Sequence, residues 1–246
     1  YRGGIFDHIG YGFSRYATDD KWLVPHFEKM LYDNALLAIA YLEAYQVTGK
    51  ELFRKVAEKI LIYISREMTG AEGGFYSAQD ADSEGEEGKY YVFSEKEILD
   101  LLGKEDGKLF NRFYDIAEPG NFEGKSIPNL IRTRNFDPIP EAIEKRIPEV
   151  YEYRLARTKL HKDDKMLVSW NALTIAAYAK AYKALGNEKY LRVAEKAEAF
   201  ISKSLTREDG KLFVSYRDGA ASGTGTLDDY AFLIWALLEL YEATLD

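Results

Sequence analysis

An internal repeat constrains the fold of this chain more than any other feature. A shift of 137 residues superposes residues 34–64 on 171–201 without a gap, and many positions in that register are identical. A shift of 196 residues superposes residues 33–45 on 229–241. Repetition of a helical unit at this scale is typical of a toroid or solenoid, in which helical hairpins stack side by side.

The two helices of each repeat differ in how their apolar residues are arranged. Residues 35–42, 172–181 and 230–241 are apolar nearly all round, which predicts helices buried on every side. The segments that follow, 52–64 and 191–201, are apolar on one face only. We therefore expect the first helix of each pair to lie inside the toroid and the second to lie outside.

Short turns separate these predicted helices. Gly49 and Gly186 stand where the first helix of each pair must end, because glycine accepts the left-handed conformation that ends many helices. Each second helix is followed by an extended piece, at residues 73–77 and 210–215, too short for more than a small strand. The pairs are therefore predicted to be antiparallel hairpins joined by loops with little sheet.

Composition and charge limit the kinds of ligand and partner that the chain is expected to have. The absence of cysteine excludes disulfides, thiolate catalysis and cysteine-ligated metals. The formal net charge is −8, and no segment combines clustered Lys and Arg with aromatics, so nucleic acid is not an expected partner. No secretory leader or long apolar run is visible. We expect a cytoplasmic protein without a membrane partner.

The predicted domain organisation is simple. Residues 1–246 are expected to form a single domain, since the helical repeat runs through most of the chain. Tyr1 begins the chain without a methionine, and Asp246 ends it within a helical pattern. We expect this domain to be a piece of a longer protein.

Polar residues gather in the segments that lead into the predicted inner helices. The richest segment runs from Arg15 to Asn34, and the others are residues 76–85, 163–171 and 224–229. In a toroid of alternating inner and outer helices these segments lie on one face, so we expect them to line a common funnel. The N-termini of the inner helices would direct N–H groups into it, which favours anionic or hydroxyl-rich ligands.

Several of these segments carry a family resemblance. Residues 3–35, which include Trp-Leu-Val-Pro-His-Phe-Glu-Lys-Met-Leu-Tyr-Asp-Asn-Ala, resemble thioredoxin-domain-containing proteins of the family that includes a mammalian spermatogenesis-associated member. Residues 76–84, 120–124 and 228–231 match the same family in the same order. The resemblance implies that a thioredoxin-like domain, absent from residues 1–246, is a partner within the full-length chain.

The resemblance also implies a fold. It is similar to the six-hairpin α/α toroid of N-acylglucosamine 2-epimerases and unsaturated glucuronyl hydrolases. The predicted fold class is therefore all-α: a six-hairpin glycosidase-like α/α toroid of repeated helical hairpins. We expect the barrel to be incomplete in this chain and its loops to carry short β pieces.

Four residues are candidates for catalytic proton transfer. Histidine is the natural base for abstracting a sugar α-proton, which makes His26 a candidate, although a lone histidine is more often structural. His26 follows a proline, which suits a first helical position. Glu28, like Asp33, is either a catalytic carboxylate or a complement to a helix dipole. Asp80 suits an acid in a semi-apolar cleft. Asp229 is either an N-cap or, with Asp33, one of two carboxylates across the funnel.

Eight further residues are candidates for holding the ligand. Aromatic rings stack on sugar faces, although their usual place is the core. Arg15 would clamp a carboxylate or phosphate, or pair with a nearby aspartate. The acidic loop of Asp82 lacks the spacing of a calcium site, and its later members, Glu86 and Glu87, suit solvated surface. The full set is Arg15, Trp22, Tyr32, Asp33, Tyr76, Asp82, Trp170 and Asn171.

Two classes of function follow from these candidates. The first is a carbohydrate-active domain that binds a sugar or uronate, either a glycosidase with two carboxylates or a sugar epimerase or isomerase with a histidine and an acid. The second is a non-catalytic binding or scaffold domain that serves the thioredoxin-like domain. No nucleotide or metalloprotease motif is present, so we expect no cofactor and no metal.

Overall fold

A computed structural model describes residues 1–246, which fold into two compact units. Unit 1 comprises residues 1–29 and 79–161, and unit 2 comprises residues 30–78 and 162–246. Each unit is thus assembled from two separate stretches of the chain. The single domain over residues 1–246 stays a prediction.

Nine α-helices account for most of the regular structure. In chain order they are α1 (Leu31–Thr48), α2 (Glu51–Tyr63), α3 (Glu95–Leu102), α4 (Lys104–Phe113), α5 (Glu141–Glu144), α6 (Ile147–Arg157), α7 (Val168–Leu185), α8 (Glu188–Ser204) and α9 (Leu227–Thr244). A π-helical turn over Ile64–Met68 follows α2 directly. None of the helices has both the length and the apolar character needed to cross a membrane.

The strands are no longer than three residues. They are β1 (Tyr16–Ala17), β2 (Pro25–His26), β3 (Lys29–Met30), β4 (Ala78–Gln79), β5 (Asp82–Ser83), β6 (Glu86–Glu87), β7 (Lys162–Asp163), β8 (Met166–Leu167), β9 (Ser215–Arg217) and β10 (Ala220–Ser222). The predominance of helix, with short β pieces in the loops, confirms the predicted all-α class.

Helix α7 is the centre of unit 2. It packs against α1, α8 and α9, while α1 packs against α2. Residues 171–179 of α7 are buried without a break. This burial confirms the prediction that a helix which is apolar nearly all round lies inside the fold.

The three inner helices, α1, α7 and α9, run parallel. Near their starts, the ring of Tyr32 on α1 lies 4.8 Å from that of Trp170 on α7. Towards their ends, Nζ of Lys180 on α7 lies 3.2 Å from a carboxylate oxygen of Glu43 on α1 and 3.2 Å from one of Glu239 on α9. The N-termini of these helices therefore lie at one end of unit 2.

The repeat seen in the sequence is also a structural repeat. Gly49 and Gly186 both end their helices in the left-handed conformation, with φ of 66° and 68°. The extended pieces after α2 and α8 carry equivalent β-bridges, Thr69 to Phe75 and Thr206 to Leu212. These pairs are related by the same 137-residue shift, so the hairpin and its following turn are duplicated as one block.

Helices α1 and α9 depart from the prediction. Both patterns predicted burial on every side, yet Leu36 on α1 is 43% exposed, and Ile234 and Leu238 on α9 are 58% and 56% exposed. The inner helices α1 and α7 pack extensively against the helices that follow them, α2 and α8. Within residues 1–246 no helix follows α9, so part of its apolar surface faces solvent.

A buried ionic cluster joins distant parts of unit 1. An Asp7 carboxylate oxygen lies 2.8 Å from Nζ of Lys29, and Nη1 of Arg154 lies 3.0 Å from the same carboxylate. Lys29 and Arg154 are each 1% exposed. Burial acts to raise the pKa of Asp7, but Arg154 and Lys29 outweigh it and hold that pKa far below its usual range.

Candidate functional site

The polar segment before α1 folds as a β-hairpin in unit 1. β1 and β2 pair antiparallel, with Tyr16 opposite His26 and Ala17 opposite Pro25. The sequence had suggested a first helical position for His26, and this was wrong because α1 begins only at Leu31. Proline suits an edge strand as well as a helix start, so Pro25 alone did not decide between the two.

His26 lies between two carboxylates on this hairpin. Its Nδ1 is 3.1 Å from Oε1 of Glu87, and its Nε2 is 3.7 Å from Oε2 of Glu28. Nη1 of Arg15 donates to Oε2 of Glu28 at 2.8 Å. The ring of Tyr16 stacks on the imidazole with 5.1 Å between centroids. We refer to Arg15, His26, Glu28 and Glu87 as the histidine cluster.

The two ring nitrogens of His26 have different surroundings. A carboxylate within hydrogen-bond distance of Nδ1 favours the tautomer that carries the proton on Nδ1. Nε2 is beyond hydrogen-bond distance of Glu28, so its lone pair is available to accept a proton. The side chain is 30% exposed, which leaves it accessible to a small molecule. This arrangement contains a base, a carboxylate that orients it and a second carboxylate beside it, which are the parts needed for general base catalysis.

Trp22 is displayed at the loop of the same hairpin. Its indole is 62% exposed although its backbone adopts φ of 61°, a conformation that bulky residues rarely take. The Asp19 carboxylate fixes this loop by accepting the N–H groups of Leu23 and Val24. Gly3 allows the close approach, because a Cβ there would lie 2.0 Å from the Trp22 carbonyl oxygen. Strain of this kind is found at ligand-binding segments, which is consistent with the predicted role of Trp22.

Asp80 and Asp82 lie in the acidic loop of unit 1. Oδ1 of Asp80 accepts the N–H of Asp82 at 3.2 Å, so the Asp80 carboxylate shapes the turn. Asp82 stands opposite Glu87 in the pairing of β5 with β6. The fold thus places Asp82 beside a member of the histidine cluster.

Glu87 is the member of the cluster that was not among the predicted site residues. Its side chain is 49% exposed, as expected for solvated surface, and its Oε1 also contacts Nδ1 of His26. The two residues are 61 positions apart, and no local pattern connects them. A search for carboxylates on the strand that pairs with the strand of Asp82 would have pointed to Glu87.

Two aromatic candidates meet at the inner-helix N-termini of unit 2. Tyr32 and Trp170 are in ring contact, and both side chains are partly exposed. Asp33 lies in the first turn of α1, and Tyr76 is partly exposed in the turn before β4. Binding roles for these four residues stay predictions.

The Asn171 side chain is fully buried, and both its oxygen and its nitrogen form hydrogen bonds. Its side-chain oxygen accepts the N–H of Phe75 at 2.7 Å, and its Nδ2 donates to the carbonyl oxygens of Phe75 and Leu167, both at 2.9 Å. The equivalent Asn34 likewise donates to the carbonyl oxygen four residues before it, that of Met30. This amide fastens the turn after α2 to α7, which gives Asn171 a structural role beside its predicted one.

Asp229 is the third residue of α9 and not its N-cap, which is Thr226, so the N-cap alternative from the sequence was wrong. Its carboxylate accepts the N–H and the hydroxyl of Thr226 at 2.8 and 2.9 Å, completing a capping box. It also accepts the N–H of Ser169 at 3.1 Å, and the residue is 2% exposed. These bonds give Asp229 a structural function, and its catalytic role stays a prediction.

The candidates therefore divide between the two units. Unit 1 holds Arg15, Trp22, His26, Glu28, Asp80 and Asp82, and unit 2 holds Tyr32, Asp33, Tyr76, Trp170, Asn171 and Asp229. No group of three or more His, Asp or Glu side chains has the arrangement of a metal site. The common funnel stays a prediction.

A solved structure shares the fold of this chain. A sugar epimerase from a ruminal bacterium shares it with a TM-score of 0.60 at 16% sequence identity, over 98% of this chain and 46% of that one. Cellobiose 2-epimerase from Bacillus thermoamylovorans aligns with a TM-score of 0.30, which is too low to support an argument. The chain thus has the α/α-toroid fold of sugar epimerases, as predicted.

Sequence comparison identifies the relatives. Spermatogenesis-associated protein 20 is 35% identical in human over 285 residues, and also 35% identical in mouse, in each case covering 98% of this chain. An uncharacterized protein of Caenorhabditis elegans is 35% identical over 281 residues. No family model matches the chain. The chain is therefore a homologue of spermatogenesis-associated protein 20, which confirms the resemblance drawn from its motifs.

The homology covers part of these relatives. The chain spans 36% of the human protein and 38% of the nematode one. A thioredoxin-like domain elsewhere in the longer proteins stays a prediction from the family resemblance.

Proposed function

We propose that this chain is a sugar epimerase-like or isomerase-like enzyme in which His26 moves a proton on a sugar carbon. The observation that carries the proposal is the position of His26 in the histidine cluster, with Glu87 at Nδ1 and Nε2 open to a substrate. The epimerase fold supports a sugar as the substrate class, although fold alone does not decide function.

The proposed chemistry starts from an open-chain sugar. Nε2 of His26 removes the proton from the carbon beside the carbonyl group, and the electrons of that C–H bond form an enediolate. Glu87 and Glu28 stabilise the imidazolium that results, because both carboxylates lie next to the ring. For an isomerase, the imidazolium returns the proton to the neighbouring carbon on the same face, and the hydroxyl proton moves to the original carbonyl oxygen. For an epimerase, a water molecule supplies a proton to the opposite face of the original carbon, and His26 releases its own proton to solvent.

Two other residues of the hairpin suit the binding of such a substrate. The exposed indole of Trp22 offers a flat apolar surface on which a sugar ring stacks. The Arg15 guanidinium neutralises Glu28 and places positive charge near the developing enediolate oxygen. In the longer protein, we propose that this domain works beside the thioredoxin-like domain implied by the resemblance.

The test is hydrogen exchange into sugars. The chain is incubated in D2O with aldohexoses, N-acetylhexosamines and hexuronates, and deuterium on the carbon beside the carbonyl is followed by proton NMR. The His26→Gln variant is expected to lose at least about a hundredfold in rate, the contribution typical of a general base. His161→Gln is the matched control, since His161 is exposed and lies outside the cluster.

Two results would contradict the proposal. One is a sugar that raises the melting temperature but shows no exchange with the wild-type chain, as a binding or scaffold domain would show. The other is hydrolysis of a glycoside that stops in Asp80→Asn and continues in His26→Gln. That result would favour the glycosidase alternative.

A further inference from the structure

One apolar surface of unit 2 has no partner. On α9, Ile234 is 58% exposed, Leu237 is 43%, Leu238 is 56% and Tyr241 is 54%. Together with the edge of α8 they line a cavity of about 590 Å³. We call this surface the α9 groove. Apolar residues contiguous on one helix face normally mark a contact with another element.

The repeat shows what covers the same position elsewhere in the chain. The ring of Tyr41 on α1 lies 6.0 Å from that of Phe53 on α2, and the ring of Tyr178 on α7 lies 6.0 Å from that of Tyr190 on α8. Both members of the first contact map onto the second by the 137-residue shift, and Tyr41 maps onto Leu237 by the 196-residue shift. Leu237 is therefore the third copy of a position that receives an aromatic ring from the following helix.

Burial at a second position shows the same difference. Ala38 on α1 and Ile175 on α7 are completely buried, while their equivalent on α9, Ile234, is 58% exposed. Isoleucine therefore stands at this position in both α7 and α9, buried in the first and exposed in the second. The α9 groove thus has the apolar side chains of an inner helix, but no outer helix packs over them.

The edge of the groove is acidic. Glu195 and Glu198 on α8 line one side, and Asp246 lies at its end. A second copy of this chain would bring an equally acidic edge against it, which like-charge repulsion disfavours. A helix with Lys or Arg beside its apolar stripe would instead be attracted.

We propose that the α9 groove binds an amphipathic helix of the outer type, like α2 and α8, with a large apolar residue over Leu237 and basic residues facing Glu195 and Glu198. In this binding mode an amphipathic helix lies in an apolar groove, and its apolar side chains at helical spacing contact the groove. The curated relatives have ample further chain to supply such a helix, since this chain spans only 36% of the human protein. The proposal does not depend on the sugar chemistry of unit 1.

A peptide with the sequence of residues 51–68 is the probe. It carries Phe53 within an apolar stripe and Arg54 and Lys55 beside it. Labelled peptide is titrated with the chain and followed by fluorescence anisotropy. We expect one peptide bound per chain, with an affinity that falls as salt rises.

Three variants locate the binding. Leu237→Asp in the chain and Phe53→Asp in the peptide should each weaken binding at least about tenfold, because each places a charge in an apolar contact. Val47→Asp is the matched control, since Val47 is an apolar residue of α1 that is 85% exposed and outside the groove. Melting curves establish that the chain variants are folded.

The proposal is overturned by any of three results. The peptide fails to bind the folded chain, or it binds Leu237→Asp as well as the wild type. The third is a dimer in sedimentation equilibrium that Leu237→Asp converts to monomer, which would make a second copy the occupant.

Discussion

Asp7 is the residue on which the stability of unit 1 most depends. Asp7→Asn removes the buried carboxylate that pairs with both Lys29 and Arg154. Breaking a buried ion pair in this way costs about 3–5 kcal/mol. We expect a loss of that size in the free energy of unfolding, measured by urea denaturation.

The matched control for Asp7 is an exposed ion pair. Asp100 pairs with Lys96 on the surface of α3, and both side chains are more than half exposed. Asp100→Asn should leave the urea midpoint within experimental error. Equal losses in the free energy of unfolding for Asp7→Asn and Asp100→Asn would show that burial does not strengthen the ion pairs of Asp7.

Substitution of Trp22 is expected to preserve or raise stability, which is the opposite of the effect expected at Asp7. Asparagine tolerates the left-handed backbone better than tryptophan, so Trp22→Asn should leave the free energy of unfolding unchanged or raise it by up to about 1 kcal/mol. The same change should weaken the binding of any sugar that stabilises the wild-type chain, measured by thermal shift. Unchanged sugar affinity would remove Trp22 from the binding surface.

At the residue scale, the sequence indicated which segment carries reactive side chains better than it indicated the role of each side chain. The segment around His26 was recognisable because its mixture of cations, carboxylates and aromatics exceeds what a helix start requires. The role of Asn171 was not recognisable, since its partner is the backbone of Phe75, 96 residues away. Long-range hydrogen bonds leave no local pattern.

At the element scale, the two glycine caps of unit 2 provide a paired test. A Cβ at Gly49 or Gly186 would meet no atom within 4 Å, so the cost of alanine is that of the left-handed backbone alone. Gly49→Ala and Gly186→Ala should each destabilise the chain by about 1–2 kcal/mol in urea unfolding. The two values should agree closely if the duplicated hairpins have the same local structure.

A third glycine in unit 2 is the contrast. A Cβ at Gly74 would lie 2.5 Å from the Phe200 ring and 2.6 Å from the Met166 sulfur. Gly74→Ala should therefore destabilise the chain by overpacking, at about 1–3 kcal/mol. A cost of Gly74→Ala below about 1 kcal/mol would contradict the close packing of this turn.

Helix pairs and their ends were predictable, and the pairing of the hairpin was not. Periodicity and a glycine are local signals, so α1, α2, α7 and α8 follow from the sequence. The pairing of Tyr16 with His26 depends on two short strands that carry no alternating pattern. The exposure of α9 was missed because apolar character indicates what a helix can bury and does not identify its neighbour.

At the scale of the whole molecule, acid sensitivity follows from carboxylates in both units. Burial acts to raise the pKa of Glu97 and Glu239, but the Ser94 N–H with Arg157 lowers that of Glu97, and Lys183 with Trp235 lowers that of Glu239. Both pKa values are therefore below those of the unfolded chain, as is that of Asp7.

The direction of the pH effect follows from these lowered values. The unfolded chain binds protons first as the pH falls, so this stabilisation is complete above the unfolded carboxyl pKa of about 4 and is lost progressively below it. The urea midpoint should be level between pH 7 and pH 5 and should fall below pH 4. A midpoint that rises below pH 4 would contradict these pKa directions.

The proposed activity depends on His26 being held as a base with Nε2 open. The chain has three histidines, so nitrogen-15 NMR of the labelled imidazoles, assigned with His26→Gln, reads the tautomer directly. In neutral His26 we expect the proton on Nδ1, with a shift toward the Nε2 tautomer in Glu87→Ala. A proton on Nε2 in the wild-type chain would contradict this expectation.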